Sequence, residues 1–385
     1  MESDDLTPEA PGELVQEDGI WTYVPEPLPP DIQPDHELIT QHSDAMFEIG
    51  RLNYVEAWFD NPELIISPMI HREAAESSDI ETITRVTLTD IYRQEAGDTV
   101  GRTPKERNDF AEAMNYVTSI RLGIQRVGEG QQLDIDLLRG LHRELLTGVR
   151  GEEKNPGHLR DKLVGVDETG TRLVDAKFVP MSPPRIQYAL QGLVKYIQSG
   201  PEFAPLIDLA LIHYQFETIH PFRDGNGRLG RLLVMLLLCK WDILPGPYLY
   251  PSAYFKANQD TYYKLLLDVN REGNWRDWIG FFLEAIETQA IEARAVAQDL
   301  KNLRNEYQKQ YEGSGPVIRE LLEFIIGKPY FSEPQAVDSL GRSQPAVNAA
   351  IRQLWDDDVL EEVTGQKRNR RFIAGDVLDI IEPTR

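Results

Sequence analysis

Apolar positions three and four apart dominate this chain of 385 residues and predict a mainly helical fold with little sheet. The spacing is helical from Asp44 to about Gln94, as in "MFEIGRLNYVEAWF", and again in "PKERNDFAEAMNYVTSIRLGI" and "LDIDLLRGLHRELLTGV". Between Gly151 and Pro184 the pattern changes. There "KLVGVDETGTRLVDAKFVP" alternates as two short strands around the turn "DETGT", a small β-hairpin. Helical spacing resumes in "PRIQYALQGLVKYIQS", "APLIDLALIHYQFETI" and "RLLVMLLLCKW", and a last block runs through "YYKLLLDVN" and "WRDWIGFFLEAIETQAIEARAVAQDLKNLRNEYQKQY".

Breaks in this pattern divide the chain. Residues 1–38 hold eleven acidic residues, no Lys or Arg, and the proline cluster "VPEPLPPDIQP". They read as an extended tail strapped over the surface by Trp21 and Tyr23. Residues 39–125 form an N-terminal helical region with one helix at about 72–95, and residues 126–311 form a second helical region. "EGSGP" (Glu312–Pro316) is a linker. Beyond it, in residues 316–385, three short helices precede "LEEVTGQKRNRRFIA", which alternates like a hairpin. Three helices and a hairpin make a winged helix-turn-helix pattern. No repeat of solenoid length is present.

Composition narrows the function classes. A hydrophobic share of 41% is ample for a core. A net charge of −23 argues against non-specific attraction to nucleic acid or an anionic membrane. Nucleic-acid contact would need a local basic patch. The one cysteine, Cys239, excludes an internal disulfide framework and a Cys-rich metal site. The N-terminus lacks a basic n-region and an apolar h-region, and the run Leu232–Leu238 is too short to span a bilayer. The expectation is a cytoplasmic protein without a membrane partner.

The chemistry concentrates in "HPFRDGNGRLGR", residues 220–231. Gly225, Asn226 and Gly227 permit positive φ and bring backbone N–H groups close to a ligand. A helix beginning at about Arg228 adds its unpaired N–H groups to an anion hole. Arg228 and Arg231, three apart, share one side of that turn and carry forks suited to phosphate. Asp224 suits a single carboxylate holding Mg²⁺ together with substrate phosphates. His220, with an ordinary pKa of roughly 6.5, suits proton abstraction near neutrality. Taken singly, these are a helix cap, a turn and a solvated face. In this order they describe a base, a metal ligand and a triphosphate cradle, a site for phosphoryl or nucleotidyl transfer. His142, His158 and His213 have neither helical nor finger spacing with a carboxylate partner, and read as structural.

At every specified position the twelve residues match His-x-Phe-x-Asp/Glu-Gly-Asn-Gly-Arg-x-x-Arg, and the chain resembles the Fic (Fic/DOC) family over roughly residues 40–300. "NPGHLRDKLVGV" and "AKFVPMSPP" are similar to the segment and flap before the family's motif helix, and "YLYPSAYFKANQDTYYKLLLDVNREGNWRDWIGFFLEA" to the region after it. The resemblance implies a Fic-type helical bundle with a β-hairpin flap, and a catalytic domain over 126–311. It implies transfer of AMP from ATP to a Ser, Thr or Tyr hydroxyl of a target protein, releasing pyrophosphate. His220 would deprotonate the hydroxyl and Asp224 hold Mg²⁺. Gly225, Asn226, Gly227 and Arg228 would cradle phosphate oxygens, and Arg231 would grip the γ-phosphate. Phe222 would anchor the loop from within. The flap around Asp175 to Phe178 would clamp the target backbone by strand addition, and Tyr254, Asn258 and Tyr262 would line the adenine pocket, although periodicity alone puts the tyrosines in the core.

Many members of this family carry an inhibitory helix with Ser/Thr-x-x-x-Glu-Gly/Asn. Ser77 and Glu81 stand four apart, on one helical face, in "ESSDIET", with Thr82 where the family has Gly or Asn. The resemblance implies that Glu81 occupies the fork of Arg231 that the γ-phosphate needs. Members with such a helix before the motif often self-associate, which makes a homodimer a candidate, although the sequence itself does not set the oligomeric state. In the C-terminal module, Ser343, Gln344, Asn348 and Arg352 and the basic "QKRNRR" are the elements DNA contact would use, beside the acidic "WDDDVLEE" of a protein-docking surface. Three alternatives stay open: another phosphoryl or nucleotidyl transfer on the same scaffold, removal of AMP, and a DNA-binding regulator that senses nucleotide.

Overall fold

The computed structural model describes residues 5–81, 86–97, 103–166, 171–366 and 368–382, without the side chain of Glu81. From the N-terminus come strands β1 (Gly12–Glu17) and β2 (Ile20–Pro25), then helices α1 (His36–Asn53), α2 (Glu63–Glu81), α3 (Leu88–Glu95), α4 (Pro104–Gly128) and α5 (Ile135–Leu146). Helices α6 (Pro183–Ser199), α7 (Pro205–Ile219), α8 (Asn226–Lys240), α9 (Ser252–Ala257), α10 (Gln259–Glu272) and α11 (Trp275–Gln310) follow. The C-terminal part adds α12 (Pro316–Gly327), β3 (Tyr330–Ser332), α13 (Glu333–Leu340), α14 (Gln344–Asp356), β4 (Glu361–Glu362), β5 (Arg371–Ile373) and α15 (Gly375–Ile381). The mainly helical class expected from periodicity is observed. Among the described residues, no helix is long and apolar enough to cross a membrane.

Two compact units divide these elements. The first comprises Met1–Ile49, Asn115–Pro245 and Tyr250–Gln289. Its centre is the antiparallel pair α7 and α8, both buried on nearly every side, as helices apolar all round must be. At Gly230 a Cβ would overlap the Glu217 carboxylate, so the two helices meet there more closely than a side chain allows. α6 packs on α7, and α5 on α8. Trp278 of α11 lies in the same core, its Nε1–H donating to the Ala210 carbonyl at 2.9 Å.

The acidic start of the chain is a paired hairpin and not the extended tail its composition suggests, although Tyr23 does anchor it. β1 and β2 pair antiparallel from Gly12↔Pro25 to Glu17↔Ile20. Asp18 (φ 50°) and Gly19 (φ 78°) make the turn, and positive φ at both central residues matches the twist of the flanking strands. Tyr23 is fully buried, donates its N–H to the Val179 carbonyl at 2.9 Å and packs its ring 5.9 Å from Phe178. Gln215 of α7 holds the Glu26 carbonyl at 3.0 Å.

The expected flap hairpin shrinks to isolated bridges. Val166 pairs antiparallel with Phe178, and Tyr23 pairs parallel with Pro180. Leu173–Asp175 is a 3₁₀ turn instead of a strand, closed by an Arg172–Asp175 ion pair at 2.6 Å. Pro180, which has no N–H, also limits how far a ladder can run. Residues 167–170, most of the expected turn, lie outside the described residues.

The second unit comprises Gly50–Met114, Gly246–Leu249 and Ala290–Arg385. The single helix expected over 72–95 is divided between α2 and α3. Thr87 starts the new helix as N-cap, in a capping box with Asp90. The Glu382 carboxylate adds two acceptors at the same end, taking the N–H groups of Leu88 at 3.1 Å and Thr89 at 3.3 Å. α12 packs on α2 and on α14. β3, β5 and β4 form a three-stranded antiparallel sheet. The periodic pattern did not disclose β3 and α15, which are three and seven residues long.

Candidate active site

α7 ends on His220, which takes the left-handed conformation (φ 48°, ψ 62°) and donates its N–H to Phe216 O at 3.0 Å. A non-glycine residue in this conformation is strained by roughly 1–2 kcal/mol, so its surroundings must impose it. The ring is half-buried, and Nδ1 stands 3.3 Å from the Glu217 carbonyl. That contact requires the proton on Nδ1 and makes Nε2 the basic nitrogen.

The loop beyond His220 is closed by its own side chains. Asn226 Oδ1 accepts the Phe222 N–H at 2.9 Å, and Asn226 Nδ2 donates to the Phe222 carbonyl at 3.0 Å. The amide of Asn226 is therefore a staple, leaving its backbone N–H as the group that could meet an anion. Phe222 is fully buried, as an anchor should be, and stacks on His142 with centroids 3.8 Å apart and planes 8° apart. His142 Nε2–H donates to the Asp224 carbonyl at 2.8 Å, and its Nδ1 accepts the Gly157 N–H at 2.8 Å. Burial, together with the charge of Arg228, pushes this imidazole down to a pKa of about 4, which keeps it neutral in that double role.

α8 begins at Asn226, with Gly225 as N-cap in the left-handed conformation (φ 71°, ψ 13°). That start is two residues before the expected one. The N–H groups of Asn226 and Gly227 thus fall at a helix N-terminus, where no preceding turn can accept them. The Gly225 N–H is already committed to Asp224 Oδ1 at 2.7 Å.

The charged groups sit around this N-terminus. Arg228 and Arg231 are 4% and 2% exposed, and Arg228 Nη2 lies 3.8 Å from Asp224 Oδ1. Guanidinium groups stay charged when buried, so the two place positive charge beside this helix N-terminus. Asp224 is 39% exposed at its side chain. A Cβ at Gly151 (φ 97°) would come within 3.1 Å of Asp224 Oδ2, so the absent side chain keeps that oxygen clear. One open carboxylate beside phosphate-seeking donors fits Mg²⁺, which binds through one or two carboxylates plus substrate oxygens. Among the described residues, no group of three or more His, Cys, Asp or Glu could hold a metal by itself.

The other expected residues are less uniform. Tyr262 is core: it is 1% exposed, stacks on Phe255 at 4.8 Å, and has its hydroxyl 2.9 Å from His213 Nε2. Tyr254 is half-buried and tilted against Phe281 at 5.3 Å, its hydroxyl pushed up to about 12 by burial and by Glu284. Asn258 donates Nδ2 to the Tyr254 carbonyl at 3.0 Å, which joins these two candidates. Ser77 is fully buried on α2, and Glu81 closes that helix, its side chain outside the described residues. His142 and His213 are buried and hydrogen-bonded, and His158 Nδ1 lies 3.2 Å from the Pro156 carbonyl.

Sequence reasoning missed Arg160 and Gly151, and it gave His142 no part in the loop. Arg160, in "NPGHLRD", is 2% exposed and donates Nε–H to the His220 carbonyl at 2.8 Å. The sequence marks it only as an arginine after a Pro-Gly turn.

Comparison with known proteins identifies the matching family. A model described as "Fic/DOC family" matches residues 132–238, and one described as "Fic/DOC family N-terminal" matches residues 39–125. The protein adenylyltransferase Fic of Drosophila grimshawi is 29% identical over 161 residues, 41% of this chain and 30% of that protein. The protein adenylyltransferase fic-1 of Caenorhabditis elegans is 29% identical over 119 residues, 30% of this chain and 21% of that protein. The match thus spans less than a third of each relative's length. Among solved structures, a Fic family protein from Desulfovibrio desulfuricans G20 superposes with a TM-score of 0.59 at 21% identity, over 90% of this chain and 98% of that one. Fic-1 from Caenorhabditis elegans superposes with a TM-score of 0.52 at 19% identity, over 67% and 73%. Both likenesses concern the fold.

Proposed function

This chain belongs to the Fic/DOC family, and we propose that it is a protein adenylyltransferase. It transfers AMP from ATP to a Ser, Thr or Tyr hydroxyl of a target protein, itself included. The observation that carries the reading is the setting of His220: a half-buried imidazole with Nδ1 against the Glu217 carbonyl, followed by the buried Arg228 and Arg231.

The steps follow from the residues. Nε2 of His220 takes the proton of the target hydroxyl as its oxygen attacks the α-phosphorus of ATP. The bond from that phosphorus to the oxygen bridging to the β-phosphate breaks, and pyrophosphate leaves. The N–H groups of Asn226 and Gly227, with Arg228 and Arg231, hold the phosphate oxygens in line, so catalysis is mostly positioning and charge neutralisation. Mg²⁺, held by Asp224, would neutralise the polyphosphate. Tyr254 and Asn258 are the residues kept for the adenine side. The target's backbone would lie against the flap residues near Asp175 to Phe178.

Glu81 is kept as the inhibitory residue, supported by its spacing from the buried Ser77 and by its place at the end of α2. The test uses wild type, Glu81→Gly and Glu81→Gly/His220→Ala with α- or γ-labelled [³²P]ATP. Label retained only from the α position, stronger in Glu81→Gly and lost with His220, is the expected result. Retention of γ label would replace the reading with phosphoryl transfer. Loss of a pre-formed AMP adduct would replace it with AMP removal. No label in any form would leave a nucleotide-sensing regulator.

The C-terminal part is read as a winged helix-turn-helix, α13 and α14 meeting at the Gly341 turn (φ 59°) with β4 and β5 as the wing. Its arginines favour protein docking over DNA contact. Arg342 is paired with Glu320 at 2.6 Å, Arg370 with Glu333 at 2.6 Å, and Arg352 lies 3.9 Å from Asp356. Phosphate contacts would have to displace these carboxylates. Duplex binding by the full chain that weakens steeply with salt would restore the DNA reading. The homodimer implied by family resemblance is checked by sedimentation of the full chain.

A further inference from the structure

Arg160 lies in the irregular segment before the flap, outside the motif, yet its guanidinium sits beneath the motif's first residue. It is 2% exposed. Nε–H donates to the His220 carbonyl at 2.8 Å, and Nη2 donates to the Ile219 carbonyl at 3.4 Å and the Met181 carbonyl at 2.5 Å. Nη1 donates to the Lys162 carbonyl at 3.2 Å, and the backbone N–H of Arg160 reaches the Pro221 carbonyl at 2.9 Å. These five acceptors are all backbone carbonyls from three places: the C-terminal end of α7, the start of the flap segment and its end.

Burying a cation without a carboxylate is costly. Here the cost is offset by carbonyl dipoles, two of them at the negative end of a helix. A neutral side chain would avoid the cost, but it could not span these points. The fork of an arginine holds several acceptors in fixed directions, which a lysine's single ammonium does not.

Two geometric facts give this brace a task. His220 holds a left-handed backbone conformation that its own side chain does not favour, and Arg160 and its N–H bind the carbonyls before, at and after it. The same Nη2 that holds Ile219 also holds Met181, three residues beyond Phe178 in the segment that would face the target. We propose that Arg160 is a positioning residue that fixes the imidazole of His220 relative to the flap, so that the base and the target hydroxyl meet in register. The inference rests on the reading of His220 as the base.

The test compares Arg160→Lys, Arg160→Gln and His220→Ala, each in the Glu81→Gly background, by the rate of self-labelling with [α-³²P]ATP. ATP-binding stoichiometry is measured in parallel, so that only folded, nucleotide-competent protein is counted. Arg160→Lys should bind ATP in full stoichiometry, with half-saturation within about threefold of the parent. Its rate at saturating ATP should fall roughly 10- to 100-fold, the scale of an ångström of misplacement. Arg160→Gln, which removes a positive charge close to His220, should also shift the acid limb of the pH–rate profile to higher pH. A purely structural role would lower the binding-competent fraction and leave both the rate per competent molecule and the acid limb unchanged. Either finding for Arg160→Lys, a parental rate at full stoichiometry or a loss confined to stoichiometry, overturns the proposal, even if Arg160→Gln does not fold. Labelling that survives His220→Ala removes the base reading, and this inference with it. Labelling lost in His220→Ala but retained in Arg160→Lys sinks this inference alone.

Discussion

Asn226 closes on Phe222 through both of that residue's backbone groups, accepting its N–H at 2.9 Å and donating to its carbonyl at 3.0 Å. All the atoms involved are buried. One side chain thus sets the width of the turn between the base and the phosphate-binding helix. The two remaining glycines of the "GNG" run could not do this, because the bridge needs a donor and an acceptor on one planar group.

Replacing Asn226 with Ala should orphan both Phe222 groups and cost about 2–6 kcal/mol, at 1–3 kcal/mol for each buried group left unpaired. Asn226→Asp should be nearly as harmful, since its carboxylate would face the Phe222 carbonyl without a proton to give. Urea unfolding measures this as a lower midpoint at unchanged slope. A wild-type midpoint for Asn226→Ala would show that the staple contributes nothing.

Acid should weaken the protein through His142. Its folded pKa is about 4, below the ordinary value of roughly 6.5, because burial and Arg228 oppose its charge. The unfolded chain therefore binds a proton that the folded one refuses. The stabilisation is complete above about pH 6.5 and is lost as pH falls towards 4, on the order of 3 kcal/mol in all. His213, pushed to about 3 by burial and by Arg231, acts in the same direction. Urea midpoints at pH 7.5 and 5 should differ less in His142→Gln than in wild type. An equal difference would mean that His142 does not carry the effect.

Gly151→Ala should act on the carboxylate of Asp224. At φ 97° the alanine is strained, and its Cβ would stand 3.1 Å from Asp224 Oδ2 and 3.3 Å from Leu146 Cδ2. The strain costs roughly 1–2 kcal/mol and appears as a lower melting temperature. The displaced oxygen should raise several-fold the Mg²⁺ concentration that half-saturates self-labelling. A lower melting temperature with an unchanged Mg²⁺ requirement would detach Asp224 from the metal.

In the second unit, Glu382 caps α3 from nearly 300 residues away, through the Leu88 and Thr89 N–H groups and the Thr89 hydroxyl at 3.2 Å. Glu382→Ala should cost about 1 kcal/mol, the usual value of such a cap. Amide hydrogen exchange should quicken in the first turn of α3. Unaltered exchange there would assign the stability of that end to the Thr87–Asp90 box alone.

The parts of the site legible in the sequence are those whose chemistry is local. His220, Asp224, Arg228 and Arg231 fall within twelve residues, so their order alone suggests phosphate chemistry. His142 was not legible as part of the loop, since its ring acts on Phe222 and Asp224 across some eighty positions and no local pattern encodes that pairing. Asn226 announced its permissive backbone but not the use of its amide. Two misses did carry a signal. Asp18–Gly19 between alternating runs is a hairpin mark, overridden by the acidic, proline-rich composition around it. Thr87 with Asp90 is a capping box, hidden inside a longer periodic stretch. Tyr262 shows the converse, since periodicity alone placed it in the core, where it lies.

The burial of Tyr23 against Phe178 has a consequence for synthesis. The hairpin leaves the ribosome before the segment that covers it exists, and its tyrosine must wait until more than 150 further residues have been made. Closing so distant a pairing is slow and leaves apolar surface exposed meanwhile. The body that bears the motif is therefore completed late, by a hairpin that was made well before its cover.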